Sequence, residues 1–337
     1  FEVEAIVRAE LEQGVIHALK IELSTSKGGI KRKTQVLHNL LRATLDIRHS
    51  LLHELYVEYG LFEHDSAYLA KRLNAAFLLY DDSHSAMKAL EYGPLEQLEN
   101  EVLKTQTIIA KIDGTWLSSI GPYTSFSSFK PKKNQVLYLA HMALPFESAG
   151  YCTRTHGLLT NLSQLNSDVV VQARLGYPLD KGKLKHLGEE DVKGQFKIDG
   201  LKYHYHKSLD VGISDPDERG YIERAAIALI EQARKVRPAL IQAASNHVNG
   251  AIGLTAARTL SLPFIYEVRG LWHMSRVSRQ PHFLHHAEYK AMDEAELAIC
   301  LEADLVLAIT HAVRYYLIEK GVDPERILVL PNGVDTK

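Results

Sequence analysis

Residues 262–276 read LPFIYEVRGLWHMSR, and the fold of the chain is decided there. Pro263 opens a short apolar run, Phe264-Ile265-Tyr266, with the β-rich and bounded character of a buried strand. Glu267 and Arg269 follow with no loop between, Gly270 breaks the run, and Trp272 and His273 come next. Ligands of open α/β sheets bind outside the carboxyl ends of the strands. A carboxylate, a guanidinium, a glycine and an indole at such an end therefore read as a site. The same residues fit a plainer role equally well: a Glu–Arg pair that ties a loop down, with Trp272 in the core.

Working outward, the chain from Val136 alternates strands and helices. Strands are expected at 136–140, 168–173, 200–206, 238–243, 305–309 and 327–330, and helices at 152–165, 215–235, 248–260, 282–303 and 310–319. Residues 174–200 are long, polar and Gly-rich, and read as a surface excursion. This order implies an α/β fold, a parallel sheet with helices on both faces. Residues 1–120 differ: Leu37, Leu40, Leu41, Leu45, Leu51, Leu52 and Leu55 keep helical spacing, as do Tyr68, Leu69, Leu73, Ala76, Phe77 and Tyr80. This all-α region has no catalytic spacing and reads as a packing, oligomerisation or partner-binding element. Residues 121–135, GPYTSFSSFKPKKNQ, have the composition of a linker, which sets the domain at 136–331 and leaves 332–337 as the start of a further connection.

The totals narrow the class. The chain has 337 residues, room for two ordinary domains, with 46% hydrophobic and 24% charged residues. A net charge of −2 provides no basic field for nucleic acid, and no apolar run reaches the ~20 residues that span a bilayer. The two cysteines, Cys152 and Cys300, fit a reducing compartment better than a disulfide framework. A start at Phe1 without Met and a stop at Lys337 just past a turn read as a fragment at both ends.

Three further groups could carry chemistry. Ser148-Ala149-Gly150 feeds the helix bearing Arg154 and His156, where free backbone N–H groups can hold phosphate or sugar oxygens; the pattern is not a dinucleotide fingerprint. Asn246 and His247 end the strand expected beside that of Glu267 and Arg269, so amide, imidazole, carboxylate and guanidinium are expected on one rim. A lone strand-end His is more often structural, and only the convergence argues for function. His282, His285 and His286 have spacing that a metal could use, but no carboxylate or Cys partner stands in the pattern.

Residues 136–335 resemble the N-terminal half of a family 4 glycosyltransferase with the GT-B fold. Three blocks carry the resemblance: LYLAHMALPFESAGYCTRTHGLL at 137–159, AASNHVNGAIGLTAARTLSLPFIYEVRGLW at 243–272, and EADLVLAITHAVRYYLIEKGVDPERILVLPNGVD at 302–335. It implies a Rossmann-like acceptor domain of a retaining enzyme that transfers sugar from a nucleotide-sugar to a glycan or lipid-linked acceptor. It implies no metal and no cofactor beyond that co-substrate, and it implies cytoplasmic work, at or near the inner membrane surface, in surface-polysaccharide synthesis. Pro331-Asn332-Gly333-Val334-Asp335 would mark the crossover to a donor domain missing from this sequence, so the fragment alone is expected to be inactive. By the resemblance Ser148, Ala149, Gly150, Arg154, Asn246, His247, Glu267, Arg269 and Trp272 line the substrate cleft, and His247, Arg269 and Glu267 are the catalytic candidates. Many relatives carry His where Arg269 stands, so the role of base does not transfer to it. The alternative of a different class is a non-catalytic glycosyltransferase-like module that recruits a partner through residues 1–120. If the rim is the site, Arg269→Ala and His247→Ala in the full-length enzyme lower kcat/KM by at least about tenfold with the melting temperature nearly unchanged; if it is structural, stability falls and the kinetics per folded molecule hold.

Overall fold

The computed structural model describes residues 95–121, 129–181, 184, 187, 191–206, 211–280, 283–284 and 287–334. The helical patterns at 37–80 and the histidines at 282, 285 and 286 lie outside the described residues, as does part of the 121–135 linker. Helix α1 (Leu95–Ile112) precedes a short helix α2 (Trp116–Ser119). Then follow β1 (Gln135–Ala140), α3 (Gly150–Gln164), β2 (Asp168–Ala173), β3 (Gln195–Ile198), β4 (Leu201–His204) and α4 (Glu218–Val236). The chain continues through β5 (Leu240–Ala244), α5 (His247–Thr259), β6 (Phe264–Val268), α6 (Trp272–Val277), α7 (Ala287–Glu302), β7 (Leu305–Ala308), α8 (His311–Glu319) and β8 (Ile327–Val329). The strands form one sheet in the order β3-β4-β2-β1-β5-β6-β7-β8. Only the β3–β4 pair is antiparallel among these neighbours.

Central strands read as continuous apolar runs because both faces are covered. All six residues of β1 are buried. Its alternation sends Leu137 and Leu139 to a core shared with α4, α5 and α7, and Val136, Tyr138 and Ala140 to a second core with α3 and the β4 end of the sheet. Helix starts are specified locally: Asp217, Asn246 and Thr310 each accept a backbone N–H of the first turn of α4, α5 and α8. Helix α5 is poor in large side chains because it lies close on the sheet. A Cβ at Gly250 would stand 2.7 Å from the Tyr266 ring, and one at Gly253 2.7 Å from the Phe264 ring.

Three expectations change. Residues 174–200 are not a plain surface excursion. Tyr177, Leu179 and Val192 are buried, and Phe146, Tyr177, Phe196 and Tyr205 form a group of mostly edge-on rings that draws the segment onto the sheet. Within it β3 pairs with β4 across Asp199-Gly200, both at positive φ, which is the Asp-Gly signature of a tight hairpin. The sequence reading ends the helical region at 120, yet Trp116 and Ile120 lie in the core of the sheet, because their apolar bulk needs cover that a linker cannot supply. The strand at 264 runs on through Val268, which places Glu267 inside it.

Candidate functional site

Strand β1 lies between β2, which follows it, and β5, which comes much later. The carboxyl ends of β1 and β5 therefore flank the topological switch point, where sheets of this kind open a crevice. From β1 the chain leaves through His141 and a loop to α3. That helix begins at Gly150 behind Ala149, which offers no side-chain cap. Ser148 and Gly150 are exposed. The N-terminal turn of α3 thus faces out with uncapped N–H groups and the positive end of its dipole, a setting that suits phosphate or sugar oxygens.

Glu267 is the penultimate residue of β6, and its side chain is 1% exposed. Its Oε2 accepts from the Tyr138 hydroxyl at 2.7 Å and from Arg269 Nη2 at 2.9 Å, and its Oε1 accepts from Arg154 Nε at 3.0 Å. Arg269 also donates through Nη1 to the Tyr151 carbonyl at 2.8 Å and to Thr155 Oγ1 at 2.7 Å, and through Nη2 to the Tyr138 oxygen. Burial pushes the Glu267 carboxyl up, but the Arg269 charge, the hydrogen bonds from Arg269 and Tyr138, and the Arg154 charge outweigh it and hold Glu267 below the ordinary carboxylate range. Burial, with the Glu267 charge, holds the Tyr138 phenol well above its own. Arg154 spends its remaining donors on the segment after β8: the carbonyls of Leu330 at 2.7 Å and Pro331 at 2.8 Å, and Asn332 Oδ1 at 2.9 Å. The structure brings Glu267, Arg269 and Arg154 together as a lock joining β1, α3, β6 and the β8 exit, with both carboxylate oxygens of Glu267 engaged.

His247 stands elsewhere. Successive strand residues point to opposite faces, and Tyr266 joins the α5–α7 core while Glu267 meets Tyr138 and α3. His247, first in α5, is on the Tyr266 side. Its Nε2 is 3.0 Å from Lys111 Nζ, its ring meets Trp116 edge-on at 5.6 Å, and its Nδ1 is 3.9 Å from Glu296 Oε2. Lys111 donates to Glu218 at 2.8 Å, and Trp116 Nε1 donates to the other oxygen of Glu218 at 3.0 Å. Burial first, then the charges of Lys111 and His273, push His247 well below the ordinary imidazole value. The neutral ring accepts from Lys111 at Nε2 and so carries its proton on Nδ1, toward Glu296. Burial drives Glu296 up to about 7, against hydrogen bonds from the Tyr266 hydroxyl and the His247 backbone N–H. Asn246 caps α5 by accepting from the Asn249 N–H. The four groups expected on one rim thus divide: Glu267 and Arg269 on the α3 face, Asn246 as a cap, and His247 in a buried cluster with Lys111 and Trp116.

The sequence reading missed His141. Its Nδ1 is buried without a hydrogen-bond partner, and burial plus the charges of Arg174 and Lys181 push its pKa down to about 3. The ring packs edge-on against Trp272 at 5.4 Å and 84°. Trp272 is 42% exposed, so it is not the core residue of the plainer reading. A polar residue closing an apolar strand was the available signal for His141. Among the described residues no three His, Cys, Asp or Glu side chains are grouped to hold a metal ion, and no helix is long and apolar enough to cross a membrane.

Comparison with known proteins adds the following. The Anabaena protein HepE, solved in complex with UDP-glucose, is 17% identical, with 60% of this chain and 44% of that one covered at a TM-score of 0.36. The UDP-GlcNAc 2-epimerase of Methanocaldococcus jannaschii is 13% identical, with 58% and 45% covered at 0.35, and the Rickettsia bellii UDP-N-acetylglucosamine 2-epimerase is 14% identical, with 58% and 44% covered at 0.35. The chain therefore spans less than half the length of these solved structures. A search of the curated proteins found no match. The model of Glycosyltransferase Family 4 matches residues 154–337, more than half of the chain, from the lock residue Arg154 through β8 and beyond. The chain belongs to Glycosyltransferase Family 4.

Proposed function

We propose that this chain supplies the acceptor side of a retaining glycosyltransferase that uses a nucleotide-sugar and glycosylates a glycan or lipid-linked acceptor. The observation that carries the reading is the family match over residues 154–337. The uncapped N-terminus of α3 at the switch point supports it, being suited to the oxygens of a phosphate or a sugar. In this reading the acceptor hydroxyl attacks the anomeric carbon on the face from which the nucleoside diphosphate departs. The anomeric C–O bond breaks, and the hydroxyl proton passes to a phosphate oxygen of the donor. The protein supplies orientation and charge stabilisation of an oxocarbenium-like state. Glu267, Arg269 and Arg154 act in this scheme as positioning residues that fix the walls of the crevice. The nucleotide-sugar is the co-substrate, no metal takes part, and a further domain holds most of the donor, so this chain by itself does not turn over. The reading places the enzyme in the cytoplasm or at the inner membrane surface, with residues 1–120 available to a partner or a second copy.

The test is transfer and hydrolysis of UDP-, GDP- and ADP-sugars by this chain and by the longest product of its gene, side by side. Turnover of one donor by the longer protein alone is the expected result. Turnover of no donor by either protein would remove the enzymatic reading in favour of a binding module.

A further inference from the structure

We propose that Trp272 and His141 form a pyranose subsite at the switch point, where a sugar ring of the acceptor docks with its apolar C–H face on the indole and a hydroxyl on the imidazole. The proposal rests on the glycosyltransferase reading and deepens it, by naming a carbohydrate ring as the group held and the two side chains that hold it.

Topology is the first argument. Trp272 follows β6, yet its ring reaches past the end of β5 to meet His141 at the end of β1. The turn that swings it back is made at Gly270, whose φ of 150° favours glycine and whose absent side chain would have met nothing within 4 Å, so the space beside the turn is open. An indole and an imidazole thereby stand together beside the switch point, where sheets of this kind take their ligands.

The state of each side chain is the second argument. Trp272 is in edge-on contact with His141 and remains 42% exposed, so an oriented aromatic side chain is partly open at a strand carboxyl end. His141 is only partly buried, and its Nδ1 has no hydrogen-bond partner, a condition that costs free energy, so the ring has hydrogen-bonding capacity that the fold leaves unused. A neutral imidazole carries one N–H and one lone pair, and a sugar hydroxyl can answer either, since it both donates and accepts. An uncharged ring exchanges a hydrogen bond with a neutral polyol without a counter-charge on the ligand. Arg174 and Lys181 are the charges that oppose its protonation. A ring with one apolar face and hydroxyls on its rim meets both side chains at once, which an aliphatic alcohol or a protein hydroxyl does not.

The test uses ligand-observed NMR and calorimetry on this chain, with methyl pyranosides and disaccharides against uridine and 1-butanol. The expected result is saturation of the pyranoside ring C–H protons in the wild type. Trp272→Ala and His141→Phe should each weaken binding about tenfold, and Trp272→Tyr should retain it, with unchanged circular dichroism melts throughout. His141→Phe keeps the ring packed on Trp272 and removes only the nitrogens. Equal affinity in wild type, Trp272→Ala and His141→Phe, or saturation by uridine alone, would overturn the proposal. Failure of the enzymatic reading looks different. A longer gene product that transfers sugar with an acceptor KM unmoved in both variants would sink the subsite and leave the enzyme standing. Pyranoside binding through Trp272 with no donor turned over would keep the subsite and sink the enzyme.

Discussion

Glu267 and Glu296 are both buried carboxylates beside β6, one on each face of the sheet, and their acidities move in opposite directions. Glu267 faces two guanidiniums and a phenol and is held below the ordinary range, whereas Glu296 faces a phenol, a backbone N–H and a neutral imidazole and is driven up to about 7. Burial acts the same way on both. The difference is formal charge on the partner, which the α3 face supplies twice over and the α5 face spends elsewhere: the Lys111 ammonium stands on His247 and Glu218. The first face is therefore a fixed ionic lock and the second a proton-sensitive joint.

Glu267→Leu should break the comparison most severely. It leaves Arg269 and Arg154 buried without their counter-charge, and a loss of about 3–5 kcal/mol in urea unfolding is expected. A loss below about 1 kcal/mol would mean that the guanidiniums find water and that the lock is a surface pair in energetic terms. Arg154→Ala comes next, at about 1–3 kcal/mol for the buried partners it strands. Its distinguishing readout is faster amide exchange in 330–334 with β1 and β2 unchanged.

Smaller effects follow from pH. Glu296 has a native value of about 7 against an ordinary 4.5, so the stability it contributes is complete below about 4.5 and is lost as pH rises through 7. Glu296→Gln should therefore raise the melting temperature at pH 8 by more than at pH 5. Glu267 is depressed, so its contribution is present above 4.5 and lost as pH falls further, and the penalty of Glu267→Gln should shrink in acid. His247, also depressed, contributes stability above its ordinary 6.5 that is lost as pH falls below it. In Glu296→Gln the opposing slope is gone, so stability should rise from pH 5 to 7, and adding His247→Gln should remove part of that rise, the rest coming from His141, His204, His206 and His273, which are depressed as well. A rise unchanged by His247→Gln would place His247 in water and dissolve the cluster.

Much of this architecture was legible. Asp168–Ala173 is a strand with the limits that its DVVVQA pattern implies, and Glu267 and Arg269, two apart, had to share a face at the end of theirs. The pair also makes the bonds of a tie between elements, so Arg269→Ala and His247→Ala should lower stability, and any kinetic loss in Arg269→Ala should come through the displaced crevice wall. Its partners were not legible, because Arg154 and Tyr138 lie 113 and 129 positions away and reach Glu267 only through the order of strands. His247 was misplaced for another reason. A residue at a helix start points where the helix packing turns it, and the close approach at Gly250 and Gly253 fixes that rotation. The β3–β4 hairpin was announced by Asp199-Gly200 and hidden by the polar residues around it. Trp116 escaped because its cover comes from helices beyond residue 218, out of reach of any local pattern.

The bonds of Arg154 also give the molecule a mechanical character. Tension applied to the backbone beyond residue 332 would load three hydrogen bonds from one guanidinium before it could peel the three residues of β8 from the sheet edge. That exit is a strain-relief clamp like the one on a cable. Torque arriving there is delivered into α3 and, through Glu267, into the centre of the sheet, so whatever is joined to the chain at that point takes its bearing from the crevice wall.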